Sequence, residues 1–136
     1  MSNRKMRTAV LLAGALLTAC GSGLDDVTQF WGGPGLGVET TPTSSRFGMA
    51  CASATLGPLR LDSEGRFVVT GIDSVFEGPE TDTLPGPKLR QIRIAGMITG
   101  DRMSVDVSYP PSTVAAEHYL AIRGQSTEFN GYACPL

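Results

Sequence analysis

Three cysteines and one histidine are the side chains on which most catalytic or metal chemistry in this 136-residue chain would depend. Cys20, Cys51 and Cys134 lie far apart in the sequence, and His118 is the only imidazole. A zinc site would need further cysteines or histidines at short spacing, so we predict no metal site. A nucleophile would have His118 as its only histidine base, and a histidine within a strand is more commonly structural. We therefore predict that the protein is not an enzyme.

Two further segments have the composition of ligand-binding loops but lack the residue spacing that such loops require. Residues 32–37 (GGPGLG) are not followed by Lys-Ser/Thr or by the start of a helix, so a glycine-rich hairpin is favoured over a phosphate site. Glu77, Glu80 and Asp82 do not match the 12-residue calcium loop, and acidic side chains in such a loop are usually solvated. We predict that the protein binds no cofactor.

Residues 1–19 have the layout of a secretory signal. Arg4, Lys5 and Arg7 precede an uncharged apolar run of nine residues, 9–17. Nine helical residues would span roughly 14 Å, well short of the ~30 Å hydrocarbon core of a bilayer. The alternative is a buried core helix, but the run has no amphipathic face and no cap. We predict that this segment directs export and is then removed.

The sequence Leu17-Thr18-Ala19-Cys20 resembles the lipobox of bacterial lipoproteins. The resemblance implies that Cys20 carries diacylglycerol, that cleavage occurs just before it, and that the new amino terminus is acylated, for instance by palmitate. Each buried methylene contributes about 0.8 kcal/mol, so two or three acyl chains anchor firmly. Gly21, where enterobacterial lipoproteins retained in the inner membrane have Asp, implies the outer membrane. The alternative is an ordinary secreted protein with a cysteine near its cleavage site.

With Cys20 assigned to lipid, Cys51 and Cys134 remain as a pair. The compartments outside the cytosol are oxidising, so an even pair in a small exported domain predicts a disulfide. For a loop of this length the chain-entropy gain is on the order of 4–5 kcal/mol. A metal pair or a catalytic thiol acting with His118 are the alternatives.

Alternating apolar and polar side chains predict strands through most of the remaining chain. The clearest run is residues 103–109 (MSVDVSY), and residues 91–98 alternate in the same way. Between them, Gly100 supplies the positive φ of a two-residue hairpin turn. Further strands are predicted before a turn at Gly32-Gly33-Pro34 and at 46–51, 59–61, 66–72, 118–123 and 128–134.

Residues 114–122 allow either a strand or two turns of helix capped by Ser112. We favour the strand because the neighbouring predicted strands require a further strand to pair with. Residues 77–88 contain three prolines and two glycines, which predicts a surface loop. Phe30 and Trp31 are expected to close one end of the fold together.

These elements predict an all-β fold, a small antiparallel β-barrel. We expect a lipocalin-like meander of roughly eight strands over residues 28–136, after the signal peptide (1–19) and a lipidated tether (20–27).

Taken in order, the landmarks are similar to those of a set of small uncharacterised bacterial exported proteins and lipoproteins. The similarity covers residues 30–134 and implies a compact antiparallel barrel closed by Cys51–Cys134, but it implies no activity. The landmarks are Trp31-Gly32-Gly33, Cys51, Pro58-Leu59-Arg60-Leu61-Asp62, Gly65-Arg66-Phe67, Gly71, Gly78-Pro79, Gly96, Gly100-Asp101-Arg102-Met103, Tyr119-Leu120, Gly124 and Cys134.

The composition and the lipobox together favour a non-enzymatic, lipid-anchored protein of the cell envelope. The formal charge of −2 and pI of about 5.3 lack the basic character of nucleic-acid-binding domains. We predict a monomer, attached to the membrane through Cys20, that binds another protein or a small molecule. The alternatives are an inhibitor of an envelope hydrolase (a lysozyme or a protease) and a carrier of a small apolar ligand inside the barrel.

Overall fold

The computed structural model describes residues 28–75 and 88–129. The predicted signal peptide (1–19) and tether (20–27) lie outside the described residues. So do the acidic residues of the predicted loop, Glu77, Glu80 and Asp82, and the second cysteine of the predicted disulfide, Cys134.

The predicted all-β antiparallel barrel is confirmed. Each strand pairs with the next along the chain, and the last pairs with the first through Trp31–Arg123 and Gly32–Ile122, so the sheet closes on itself. The strands are β1 (Gln29–Gly33), β2 (Leu36–Thr40), β3 (Ser45–Met49), β4 (Ala52–Leu56), β5 (Arg66–Val75), β6 (Lys88–Thr99), β7 (Arg102–Ser108) and β8 (Glu117–Arg123).

The hairpin predicted around Gly100 is confirmed. Thr99 of β6 pairs with Arg102 of β7, and Gly100 has a φ of 61° in the two-residue turn between them. A side chain at this φ would be strained, so glycine is the residue that lets the two strands follow each other directly.

Three predicted boundaries differ from the structure near the start of the barrel. Gly32 and Gly33 belong to β1, and the turn falls at residues 34–35. Residues 46–51 are not one strand, because the chain turns at Ala50 and Cys51 and returns as β4. Residues 59–61 form no strand, but Leu59 is only 4% exposed and packs into the core.

The predicted strand at 114–122 is found in part, as β8. It begins at Glu117, and residues 112–116 are irregular. Lys88, predicted in the loop, is the first residue of β6. The strand predicted from residue 128 is not formed within the described residues, where Glu128 makes an isolated bridge to Pro34.

The core occupies the inside of the barrel. Within the described part of the chain, seventeen buried apolar side chains form one cluster, with Trp31, Leu36, Phe47, Ile92 and Ile94 among the largest. Phe30 and Trp31 were expected to close one end of the barrel together. For Phe30 this is wrong, because its side chain is 58% exposed. Successive strand residues face opposite sides of a sheet, so neighbours on β1 cannot both point inward.

The two ends of the barrel carry different connections. We call the upper end the one formed by the turns at residues 34–35 and 50–51 and by residues 109–116. The lower end carries residues 41–44, residues 57–65 and the turn at residues 100–101. β1 begins at the lower end, at Gln29.

Candidate functional site

His118 lies on the outer wall of the barrel, in β8. Its Nδ1 is 2.7 Å from Oδ1 of Asp106, its partner on β7, and both side chains are more than half exposed. An exposed pair of this kind contributes about 0–1 kcal/mol. No cluster of three or more His, Cys, Asp or Glu residues in the described ranges has the geometry to hold a metal ion.

A charged cluster faces inward at the upper end. Asp73 of β5 is fully buried, and both its oxygens accept hydrogen bonds from Nε of Arg90 at 3.0 Å, while Nη2 of Arg90 lies 2.9 Å from Oδ2. The guanidinium stacks on the ring of Tyr109, 3.4 Å from its centroid. The Tyr109 hydroxyl points to the sulfur of Met49 at 3.9 Å. The cluster therefore ties β3, β5, β6 and the end of β7 together at this end of the barrel.

The environment of this cluster changes two pKa values. Burial raises the pKa of Tyr109 to about 12, and the negative charges of Glu117 and Asp73 act in the same direction, whereas the Arg90 charge opposes the change. Partial burial acts to lower the pKa of Arg90, but the hydrogen bond to Asp73 and the neighbouring negative charges outweigh it and raise that pKa. Arg90 is therefore a cation at neutral pH, as arginine is in proteins generally.

We expect the stability of the protein to fall as the pH rises from about 10 to about 12. An unfolded tyrosine has a pKa of about 10 and folded Tyr109 about 12, so the folded state holds its proton more tightly. This stabilisation is complete below pH 10 and is lost as the pH approaches 12. Because the ring is only half-buried, we expect about 1 kcal/mol rather than the full value of the shift.

Urea unfolding at pH 8, 10 and 11.5 measures this loss. Tyr109→Phe should remove the pH dependence and also the highest-pKa phenol from a spectrophotometric titration at alkaline pH. If Tyr109→Phe leaves both curves unchanged, the assignment to Tyr109 is wrong.

Four large apolar side chains are exposed on the outer wall formed by β5 and β6. We call them the apolar wall: Val68, Ile72, Leu89 and Met97, with exposed fractions of 42–65%. Val68 lies opposite Ala95. The polar pair Thr70 and Arg93 separates Val68 from the part of the apolar wall nearer the upper end. The wall therefore consists of two apolar pairs, Val68 with Met97 and Ile72 with Leu89, and exposed apolar patches on a small protein are typical of interaction sites.

A groove lies on the opposite side of the barrel, on the outer faces of β1, β2 and β3. Its volume is about 380 Å³, with Gly37 and Gly48 on its floor and with Phe30, Glu39 and Phe129 among its lining residues. A second surface pocket of about 340 Å³ adjoins it across Glu39 and is lined by Glu39, Thr41, Ser44, Arg46, Ser53 and Thr55.

The lower end is closed by Trp31 and Arg123, which are direct partners on β1 and β8. The guanidinium of Arg123 lies over the indole ring, 4.6 Å from its centroid. Trp31 is 1% exposed, as expected for a residue that closes the fold. Arg123 therefore keeps its charge at the surface while its side chain shields the indole from water.

Cys51 lies in the turn between β3 and β4 at the upper end, partly buried. Its proposed partner, Cys134, is outside the described residues, as is Cys20. The disulfide and the lipid attachment therefore stay predictions.

Sequence reasoning missed the charged cluster and the groove. Asp73 shares the alternation of Phe67 and Val69, which places it on the inner face, but Arg90 lies beyond the segment 76–87 and its pairing with Asp73 depends on the β5–β6 register. The apolar wall had a local signal, because Val68 and Ile72 are apolar side chains at the outward positions of β5, where alternation predicts polar ones.

Comparison of the chain with protein-family models, with curated proteins and with solved structures gave no match. In residues 28–75 and 88–129 there is no helical segment with the length and hydropathy of a membrane span.

Proposed function

We propose that the protein is a non-enzymatic interaction module of the cell envelope, anchored in the outer membrane by acyl chains on Cys20, with Cys51 and Cys134 joined in a disulfide. Its partner is another protein, bound through the apolar wall on β5 and β6. The observation that carries the binding proposal is the exposure of Val68, Ile72, Leu89 and Met97 on one face of neighbouring strands.

The packing inside the barrel favours a protein partner over a small cargo. A carrier needs an interior space for its ligand, whereas the inward side chains here include Trp31, Phe47 and Met103, each 1% exposed or less and part of one cluster. The two surface pockets described above lie on the outer face. These observations support an interaction surface outside the barrel.

The tether would keep the barrel close to the bilayer. From Cys20 to Gln29 the chain can extend at most roughly 30 Å. Because β1 starts at the lower end, the lipid would hold that end nearer the membrane than the upper end. The apolar wall runs along the side of the barrel and would stay accessible to a partner in the envelope.

The anchor is tested by mass analysis of the protein purified from membranes. We expect a thioether-linked diacylglycerol on Cys20 and no residues before it, and we expect Cys20→Ser to leave the membrane fraction. A mature protein that begins elsewhere with an unmodified amino terminus would contradict the anchor.

The binding surface is tested by comparing variants in a pull-down from envelope extract. We expect the wild-type protein to enrich one protein, and we expect Val68→Glu combined with Met97→Glu to reduce that enrichment at least tenfold. Val114→Glu is the matched control, because Val114 is apolar and 79% exposed but lies at the upper end, away from the wall. If the double variant and Val114→Glu enrich the partner equally, the apolar wall is not the binding surface.

Native mass spectrometry of the same preparation distinguishes the alternatives. A small molecule released only on denaturation would favour the carrier hypothesis. An enriched lysozyme or protease whose activity falls on binding would favour the hydrolase inhibitor.

A further inference from the structure

A row of polar side chains lines the inside of the barrel at its lower end. Gln29 of β1, Thr40 of β2 and Ser45 of β3 are direct partners in register, and Thr40 and Ser45 are each 1% exposed or less. The next pair towards the upper end, Trp31 and Val38, belongs to the apolar cluster. The polar row therefore lies directly beneath that cluster, where a polar group without a hydrogen bond costs free energy.

Ser45 has a hydrogen-bond partner, but three neighbouring buried atoms do not. The hydroxyl of Ser45 donates to Gly57 O at 2.7 Å. In the part of the chain that the structure describes, no group pairs with Gln29 Oε1, Trp31 Nε1 or Thr40 Oγ1, although all three atoms are buried. Nearly all buried polar atoms in native proteins are paired with protein or with ordered water, so these three atoms require an explanation.

The three atoms belong to adjacent side chains on the inner face of β1 and β2. Gln29 and Thr40 lie directly opposite each other, and the Cβ atoms of such a pair are about 4.5–5.5 Å apart. Trp31 pairs with Val38, so Thr40 is its diagonal neighbour, at a separation of about 7–8 Å that an aromatic side chain bridges. The three side chains can therefore reach one common point between the two strands.

The hydrogen-bonding chemistry of the three groups defines what fits at that point. The indole N–H only donates, the amide oxygen of Gln29 only accepts, and the hydroxyl of Thr40 does either. A water molecule has the complementary set, because it can accept from Trp31, donate to Gln29 and form one bond with Thr40. An indole N–H has no lone pair for a metal ion, and an apolar ligand would leave all three groups unpaired.

We infer that Gln29, Trp31 and Thr40 form a binding site for one water molecule inside the lower end of the barrel. Buried water molecules make about three hydrogen bonds to groups that are otherwise unpaired, which is the number of partners available here. Trp31 is 1% exposed, and the guanidinium of Arg123 lies over its ring, 4.6 Å from the centroid. The site is therefore shielded from solvent, and its water joins β1 to β2 as a permanent part of the fold.

Thr40→Val in the purified full-length protein tests the site, because it keeps the shape of the side chain and removes the hydroxyl. Oxygen-17 relaxation dispersion detects water molecules held for longer than the protein takes to tumble, and we expect its amplitude to fall by the contribution of one molecule. Trp31 is the only tryptophan, so its indole proton gives a single resonance. That proton should show a nuclear Overhauser cross-peak to water in the wild type and one at least tenfold weaker in the variant. The urea midpoint should also fall, because Trp31 and Gln29 lose their partner.

Thr55→Val is the matched control, with the same chemical change at an exposed position on β4, and it should leave all three measurements unchanged. If Thr40→Val has the dispersion amplitude of the wild type, Thr40 binds no water. If its urea midpoint rises, the hydroxyl is unpaired in a dry interior, because a methyl group then removes a penalty without breaking a hydrogen bond. Either result overturns the site. So does the absence of the indole cross-peak in the wild type, which is measured without any variant.

Discussion

Replacing Asp73 with Asn is expected to lower the free energy of unfolding by about 3 kcal/mol. The carboxylate is fully buried and accepts the charged hydrogen bonds of Arg90. Without it, Arg90 stays charged and partly buried with no counter-charge in contact. Breaking a buried ion pair by removing one partner costs about 3–5 kcal/mol, and we take the lower value because the Arg90 side chain is 35% exposed.

Urea unfolding monitored by the fluorescence of Trp31, the only tryptophan, measures this loss. Asp106→Asn is the matched control: it removes the same carboxylate charge from an exposed side chain hydrogen-bonded to His118 on the outer wall, and we expect a change of less than about 1 kcal/mol. The double variant Asp73→Leu with Arg90→Met removes both charges and should recover part of the lost stability. If Asp73→Asn and Asp106→Asn have equal effects, the inner cluster does not stabilise the barrel.

The barrel could be predicted because apolar and polar side chains alternate along its strands, a pattern visible in a short stretch of sequence. On β7, Met103, Val105 and Val107 are buried and the residues between them are more exposed, as the period of two requires. Gly100 marked the turn before β7 through its conformational freedom. Both signals lie within a few residues of each other in the sequence, so neither needs knowledge of how the chain closes.

What escaped prediction depends on contacts between distant parts of the chain. β4 (Ala52–Leu56) is rich in small residues, so it carried little apolar pattern, and only pairing with β3 and β5 makes it a strand. The reason for Gly32 and Gly37 lies in their contacts with Gln125 and Thr127, which follow them by 93 and 90 residues in the sequence. In both cases the physical cause is a tertiary contact that no local window of sequence contains.

The distinction between an interaction module and a carrier depends on whether the inside of the barrel is packed. All eight strands contribute side chains to this cluster, which includes Leu36, Phe47, Leu56, Val69, Ile94 and Val105 together with Trp31 of β1 and Ala121 of β8. Close-packed protein interiors respond strongly to loss of side-chain volume. Removing one central side chain therefore tests the proposed function as well as the fold.

Phe47→Ala is expected to lower the free energy of unfolding by about 3–5 kcal/mol, because Phe47 is fully buried between Val38 and Ala54 on the neighbouring strands. The truncation should also create an apolar cavity, so the variant should bind benzene, detected by calorimetry or by a shift in unfolding temperature, while the wild-type protein should not. Phe30→Ala is the matched control, with the same chemical change at a side chain that is 58% exposed, and it should cost less than about 1 kcal/mol. If the two variants lose similar stability, or if the wild-type protein already binds benzene, the interior is not closely packed and the carrier hypothesis gains support over the interaction module.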